Sequence, residues 1–130
     1  MRVLALDFGA ARCGVAVSDP TGVLATPLDP VERPGSERGL KLLEELVHGL
    51  DVGTVVVGLP LSLSGDETAQ TGEARAFAER LGAAVAPVPV ELHDERLTTA
   101  QARRAGGAAS EDSRAAAHLL EAWLAARESG

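Results

Sequence analysis

The sequence predicts one α/β domain, spanning residues 1–130, in which helices pack against a mixed β-sheet. Two observations predict this class. Strand-like apolar runs alternate along the chain with segments whose apolar residues recur at helical spacing. In addition, residues 54–58 (TVVVG) form a continuous β-branched run, as expected for a strand that is buried on both faces. With 130 residues, 45% of them hydrophobic, the chain can bury a core without disulfides but has no room for a second domain.

Three predicted strands open the chain. Residues 2–8 (RVLALDF) and 14–18 (GVAVS) flank a turn of small residues and predict a β-hairpin. A third strand is predicted from Gly22 to Leu28, ending near Pro27 and Pro30. The sheet should therefore begin as a three-stranded meander.

The next segments change to helical periodicity. Leucines between Leu40 and Leu50 predict a helix from about Ser36 to His48 that stops at Gly49. After the strand at 54–58, a second helix is predicted from an apolar stripe that begins at Ala74 and continues through Phe77, Ala78 and Leu81.

That second helix should run from about Thr68 to Leu81, with Gly82 as its stop. Residues 84–92 (AVAPVPVEL) then predict a strand, and the two prolines in it favour an edge position.

Two helices are predicted after this strand. Thr98 and Gln101 have the spacing of a capping box, which predicts a short helix that ends near Gly106 and Gly107. Ser110 is a suitable N-cap for the last helix. Its apolar stripe consists of Ala116, Leu119, Leu120, Trp123 and Leu124.

Cysteine content and hydropathy exclude several classes of protein. Cys13 is the only cysteine, so an intrachain disulfide and a cysteine-based zinc site are excluded, while a bridge between two chains stays conceivable. The N-terminal apolar run is interrupted by Asp7, and no stretch approaches the roughly 18 apolar residues of a membrane span. We therefore expect a protein that is soluble, cytoplasmic and without a membrane partner.

The charge balance is unusual for a protein that binds nucleic acid. The net charge is -7, whereas phosphate binding normally rests on basic residues. All basic residues except Lys41 are arginines, which suit bidentate phosphate contacts, and a site built from carboxylates would carry bound cations. The candidates for a phosphate-facing cluster are Arg12, Arg96, Arg103 and Arg104. Phe8, Phe77 and Trp123 lie in apolar runs, so we expect them in the core rather than against bases.

Asp7 is the first of three acidic residues that could form a site. It lies in a strand that otherwise favours burial, where a charge is costly unless it is paired or binds a cation. Gly9 is on the same pleat face and leaves space for a metal or a phosphate beside the carboxylate. The alternative is that Asp7 accepts hydrogen bonds from the following turn.

Glu95 is the second, at the junction between the strand at 84–92 and the helix starting near Thr98. In an extended backbone Asp94 and Glu95 point to opposite sides, so only one of them can share a metal with Asp7. The sequence alone does not choose between a ligand and a surface acid favoured by the helix dipole.

Asp112 is the third, in the first turn of the last helix. The dipole favours any acid there, but Asp112 is in phase with Ala116 and Trp123, so it belongs to the inward stripe. If the fold brings the three acids together, they form an oxygen-rich site for a divalent metal.

Two further segments have weaker signals. The three histidines lack paired zinc spacing, although His93 adjoins the acidic segment and could transfer protons there. The loop with Ser62, Ser64 and Gly65 could present amides and hydroxyls to a phosphate or could simply connect a strand to a helix.

Four segments together carry a family resemblance. LALDFGAARCGVAVSD at 4–19, VVVGLPLSLSGDET at 55–68, DERLTTAQA at 94–102 and DSRAAAHLLEAWL at 112–124 resemble the YqgF/RuvX family in order and spacing. This family belongs to the RNase H-like nucleases and is described both as Holliday junction resolvase-like and as pre-16S rRNA nucleases. Ala10 and Ala11 depart from its pattern, as does Ser62, which concerns substrate contacts more than the metal site.

The resemblance implies a fold and a set of site residues. The fold is a five-stranded mixed sheet of order 3-2-1-4-5, in which strand 2 is antiparallel, flanked by helices. The catalytic and metal-binding acids are Asp7, Glu95 and Asp112, which would hold two Mg²⁺ or Mn²⁺ ions. The candidates for substrate contact are Gly9, Arg12, Arg96, Thr98 and Arg103.

Several functions stay open at this point. The preferred hypothesis is an endonuclease that processes the 5′ end of pre-16S rRNA, and the runner-up is a resolvase of branched DNA, which would favour a homodimer because it makes two matched cuts. A catalytically inactive nucleic-acid-binding module is a third. An actin-like ATP-binding domain is the fourth, although that class needs two such domains.

Overall fold

A computed structural model describes residues 1–62, 64–94 and 111–129 of the chain. Within these residues there are eight elements, five strands and three helices. In chain order they are β1 (Arg2–Asp7), β2 (Arg12–Ser18), β3 (Ala25–Glu32), α1 (Glu37–Gly49), β4 (Val52–Leu59), α2 (Ala69–Val85), β5 (Val90–Asp94) and α3 (Glu111–Ser129).

The five strands form one mixed sheet of order β3-β2-β1-β4-β5. β2 is antiparallel to β1 and to β3, whereas β4 is parallel to β1 and to β5. The predicted strand order and the antiparallel second strand are therefore confirmed. Because β1, β4 and β5 are parallel, their carboxyl ends lie at the same end of the sheet, where β2 begins.

The two faces of the sheet have different cores. Alternate residues of β1, such as Leu4 and Leu6, face α1 and α2, in a cluster with Leu43 and Phe77. The other β1 residues face α3, whose predicted apolar stripe is confirmed. This second cluster contains Val3, Ala5, Ala16, Val56, Ala116, Leu119, Leu120 and Trp123.

Several predicted boundaries are wrong. The third strand starts and ends later, and it includes both Pro27 and Pro30, which an edge strand tolerates since one side of its ladder has no partner strand. The stop predicted for the first helix is confirmed, since α1 ends at Gly49, and Asp51, two residues later, has a left-handed φ of 54°. α1 does begin at the expected N-cap, Ser36, whose Oγ accepts a hydrogen bond from the Gly39 N–H at 3.0 Å.

The stop predicted at Gly82 is also wrong. α2 continues for another turn because Val85 is fully buried in the core, and Pro87 follows shortly after the helix ends. Residues 84 and 85 are therefore helical, and β5 begins only at Val90. The edge position predicted for this strand is confirmed.

Candidate metal and nucleic-acid site

The end of β1 places Asp7 on the face of the sheet that α3 covers. Val3 and Ala5 pack against α3, so the alternation of the strand puts Asp7, which is half-buried, on the same face. Phe8 points the other way and stacks on Phe77 of α2, with ring centroids 4.6 Å apart. This stack holds the end of β1 from the opposite face.

Gly14 brings the first turn of α3 to the same place. It is the register partner of Asp7 across the β1–β2 pair, and an added Cβ at Gly14 would lie 1.9 Å from the backbone oxygen of Asp112. Only glycine leaves room for the helix backbone there. Because paired Cα atoms of antiparallel strands are about 4.5–5.5 Å apart, Asp7 and Asp112 both border Gly14.

Arg12 is the charged neighbour of this pair. Its Nε lies 3.4 Å from Oδ2 of Asp112, and the two side chains are 55% and 42% exposed. Such an exposed ion pair is worth about 0–1 kcal/mol. Arg12 is on the same face as Gly14 by strand alternation. The Asp112 carboxylate and the Arg12 guanidinium therefore lie together at the start of β2.

Gly9 lies in the turn that joins β1 to β2. A Cβ at this position would lie 2.7 Å from the backbone oxygen of Arg12, so the tight hairpin is itself a reason for glycine. The space that the sequence predicted for a ligand beside Gly9 stays a prediction.

The last two residues of β5 lie on opposite faces of the sheet. Leu6 pairs with Val57 across β1 and β4, and Val57 pairs with Leu92 across β4 and β5. One residue further along each strand are Asp7, Gly58 and His93, which therefore lie side by side on the same face. His93 is half-buried on the α3 side, whereas Asp94 is exposed on the side of α1 and α2. Asp94 is therefore not on the face of Asp7.

Several predicted site residues lie outside the described residues. These are Glu95, Arg96, Thr98, Arg103 and Arg104, together with the predicted helix after Thr98 and the N-cap Ser110. Within residues 1–62, 64–94 and 111–129 there is no group of three or more His, Cys, Asp or Glu side chains that could hold a metal ion. The structure brings together Asp7, Gly14, Arg12 and Asp112, and the convergence of all three acids stays a prediction.

The loop after β4 is occupied by its own hydrogen bonds. Ser62 Oγ lies 2.9 Å from Ser64 Oγ, which donates to an Asp66 carboxylate oxygen at 2.9 Å. The N–H groups of Gly65 and Asp66 also bond within the loop, to Ser62. Because these described donors bond within the loop and Asp66 adds a negative charge, the loop favours the connecting role over phosphate binding.

Cys13 and the aromatic residues belong to the core. Cys13 is fully buried, so a bridge between two folded chains would require the strand to move. Phe77 and Trp123 are 3% and 6% exposed, which confirms their expected place in the core. No described helix is long and apolar enough to cross a membrane.

Gly14 and Ser113 are not among the residues that the sequence predicts for the site. Ser113 is 1% exposed, and its Oγ accepts a hydrogen bond from the Val15 N–H at 3.3 Å. The phase of the last helix carried a signal for it, since Ser113 precedes the buried Ala116 by three residues. Gly14 interrupts an apolar strand, which indicates close approach of another backbone.

The two described carboxylates fit a divalent cation by their chemistry. Asp7 and Asp112 offer oxygen ligands on one face, neither is fully buried, and oxygen donors are those that Mg²⁺ and Mn²⁺ prefer. The cation would also offset the negative charge that two neighbouring acids bring to the site.

Solved structures share the fold of this chain. RuvC of Thermus thermophilus in complex with a Holliday junction substrate matches with a TM-score of 0.68, at 18% identity, over 98% of this chain and 96% of that one. A fowlpox virus resolvase in complex with Holliday junction DNA matches with a TM-score of 0.60, at 7% identity, over 98% and 99% of the two chains. The fold is RNase H-like, as the sequence resemblance implied.

The chain belongs to the RuvX family. The family model described as "RuvX: Holliday junction resolvase" matches residues 1–126. A Mycobacterium leprae protein is 46% identical over 95% of this chain and 72% of its own length, and a Rhodococcus erythropolis protein is 42% identical over 95% and 77%. Both are named as candidate pre-16S rRNA nucleases. This membership confirms the prediction of a nuclease, a hydrolase of phosphodiesters, and disfavours the ATP-binding alternative.

Proposed function

We propose that this chain is a divalent-metal-dependent endonuclease that processes the 5′ end of pre-16S rRNA. The observation that carries the proposal is that Asp7 and Asp112 both border Gly14, at the carboxyl end of β1 in an RNase H-like sheet. The RNA substrate is supported by the names of the relatives that are 42–46% identical. Processing of an rRNA precursor also implies a cytoplasmic protein.

The proposed ligands of the metal are Asp7, Asp112 and Glu95. Bound Mg²⁺ or Mn²⁺ would supply Lewis-acid activation of the phosphodiester and of the attacking water. Glu95 is preferred to its sequence neighbour Asp94, because Asp94 is on the other face of the sheet from Asp7. We also propose that His93, which is half-buried on the face of Asp7, hydrogen-bonds substrate at the same end of the sheet.

The remaining residues of the proposed site bind and orient the nucleic acid. Arg12 is half-exposed beside Asp112, so its guanidinium can reach a phosphate that approaches the metal. Gly9, Arg96, Thr98 and Arg103 are proposed as further substrate contacts. Since the whole chain has a net charge of -7, binding should depend on the metal and on this local group of arginines rather than on a broad basic surface.

Cleavage assays with Asp7→Asn test the metal site. We expect wild type with Mn²⁺ to cleave a precursor rRNA 5′ fragment. Asp7→Asn should reduce the rate by more than about 100-fold, because even outer-shell partners of a metal are worth about 10- to 100-fold. Circular dichroism should show an unchanged fold. Asp51→Asn is the matched control, because Asp51 is exposed beyond α1 and its left-handed φ of 54° suits asparagine. Wild-type activity of Asp7→Asn with Mn²⁺ would contradict the proposed site.

Cleavage of a four-way DNA junction is the second candidate function. It is favoured by the family description and by the fold shared with two resolvases. Paired cuts require two active sites, so this function would go with a homodimer. A parallel assay on a DNA junction, with the mass of the protein measured by light scattering, decides between them. Faster cleavage of the junction by a dimer would replace the RNA proposal.

A further inference from the structure

Ser113 joins the first turn of α3 to the middle of the sheet. Its hydroxyl accepts a hydrogen bond from the Val15 N–H at 3.3 Å, between residues 98 positions apart in sequence. Ser113 is 1% exposed, so the bond lies out of water, where leaving a polar group without a partner is costly.

The bond lies at a specific irregularity in the sheet. The register between β2 and β3 shifts between Cys13 and Val15, next to the Val15 N–H that donates its hydrogen bond to Ser113. Shifts of this kind re-aim a side chain or terminate strand pairing, and they are common next to active sites. The sheet therefore presents the Val15 N–H to α3 where its ladder to β3 is irregular.

The neighbouring residue fixes the same turn by close approach. The backbone of Asp112 lies against Gly14, so two consecutive residues of β2, Gly14 and Val15, hold two consecutive residues of α3. Gly14 is also the register partner of Asp7. The separation of the Asp7 and Asp112 carboxylates thus depends on how the first turn of α3 is attached to β2.

We propose that Ser113 is a positioning residue for the metal site, acting through Asp112. Its hydrogen bond fixes where the Asp112 carboxylate stands relative to Asp7 and to the guanidinium of Arg12. The metal part of this inference rests on the proposed function, whereas the attachment of α3 to β2 does not. A role in packing alone would require only a small side chain at this position, which alanine would also provide.

Two measurements on Ser113→Ala separate positioning from packing. Calorimetric titration with Mn²⁺ alone should show binding weakened about 10-fold, the lower end of what outer-shell partners contribute. Amide hydrogen exchange should become faster at Val15 and in the first turn of α3, while Leu119 and Leu120 keep their protection. Ser113→Thr retains the hydroxyl and should restore both properties.

Leu124→Ala provides a control for loss of stability alone. Leu124 packs near the other end of α3, so truncating it should lower Tm while Mn²⁺ affinity stays at the wild-type value. If Ser113→Ala does not fold, Ser113→Cys keeps the size with a weak acceptor and is measured in its place.

Each outcome decides the inference. Wild-type Mn²⁺ affinity in a folded Ser113→Ala overturns the positioning role, and unchanged exchange at Val15 overturns the attachment itself. If the wild-type protein binds no Mn²⁺, the proposed metal function fails, and Ser113 loses its site role even when exchange at Val15 responds. Weaker binding with faster exchange at Val15, both restored by Ser113→Thr, supports it.

Discussion

The two faces of the sheet are built from different side chains. The face towards α1 and α2 contains leucines, valines and Phe77, which bury large apolar areas. On the face towards α3, β1 and β2 present the small residues Ala5, Gly14 and Ala16, and we call this the small-side-chain face. The large side chains of its cluster come mostly from α3 itself, as Leu119, Leu120 and Trp123. Large side chains hold helices away from a sheet, whereas small ones let the backbone of a helix lie against it. The first face therefore buries the larger apolar cluster, and the second brings the backbone of Asp112 against Gly14.

Two buried serines lie on the face towards α3. Ser113 accepts from Val15 near one end of β2, and Ser18 accepts from the Val3 N–H at 2.8 Å near the other. Both serines are almost completely buried, and each is bonded to a backbone amide. Directed bonds of this kind fix one arrangement, which apolar contacts alone specify less sharply.

Truncation on the large-side-chain face should give the largest loss of stability. Leu81 of α2 is fully buried, and Leu81→Ala should lower the free energy of unfolding by about 3–4 kcal/mol, through lost transfer energy and a cavity. Mn²⁺ affinity of the folded protein should not change. Chemical denaturation and calorimetry measure the two quantities. Leu42→Ala is the control, since Leu42 is 43% exposed and its truncation should change stability by about 0.5 kcal/mol or less.

Enlargement on the small-side-chain face should damage the site as well as the fold. Gly14→Ala places a Cβ 1.9 Å from the Asp112 backbone oxygen, so α3 must move away from β2. We expect a loss of about 2–3 kcal/mol in unfolding free energy, together with loss of Mn²⁺ binding.

Gly72→Ala is the matched control for this enlargement. Nothing lies within 4 Å of a Cβ at Gly72, in the exposed part of α2, so alanine should stabilise the protein by about 0.5–1 kcal/mol. Unchanged Mn²⁺ binding in Gly14→Ala would mean that the close approach of α3 does not position Asp112.

The sequence predicted elements with strong periodicity better than it predicted the contacts between them. The β-branched run at 54–58 and the stripe of the last helix are local signals, and both elements formed as expected. Gly82 misled because a glycine near a helical end resembles a stop, while burial of Val85 continued the helix.

The site was predictable only in part. Asp7 became a candidate because a charge in a buried strand needs an explanation, and Asp112 because of its helical phase. The attachment between them joins residues 98 positions apart, and no local pattern encodes such a contact. Gly14 and Ser113 therefore emerged only when β2 and α3 were seen packed together.

Arg12 tests the electrostatics of the small-side-chain face with a smaller effect. Its guanidinium competes with a cation for Asp112, so Arg12→Gln should tighten Mn²⁺ binding about 3-fold, as the weak strength of exposed ion pairs allows. In cleavage assays the same variant should raise KM by removing a phosphate contact.

Arg127→Gln is the matched control for this change of charge. Arg127 covers the ring of Trp123 in the last turns of α3, about 22 Å along the helix from Asp112. The substitution Arg127→Gln removes one positive charge far from Asp112, so the Mn²⁺ affinity should stay the same. Weaker Mn²⁺ binding in Arg12→Gln would show that Arg12 orders Asp112 rather than competes for it.

Asp19, at the far end of β2 from Gly14, should give the smallest effect, visible only as a dependence of stability on pH. Hydrogen bonds from the Thr21 hydroxyl and from the Leu24 and Val23 amides hold the pKa of Asp19 well below its ordinary value of about 4. Because the folded pKa is the lower one, this stabilisation is complete at neutral pH and is lost as the pH falls below about 4. Asp19→Asn lacks it at every pH, so its difference in unfolding free energy from wild type should shrink between pH 7 and pH 2. A difference that stays constant over this range would show that the Asp19 charge does not stabilise the turn. Mn²⁺ affinity at neutral pH should equal that of wild type, since this carboxylate stabilises the turn after β2 and is not part of the proposed metal site.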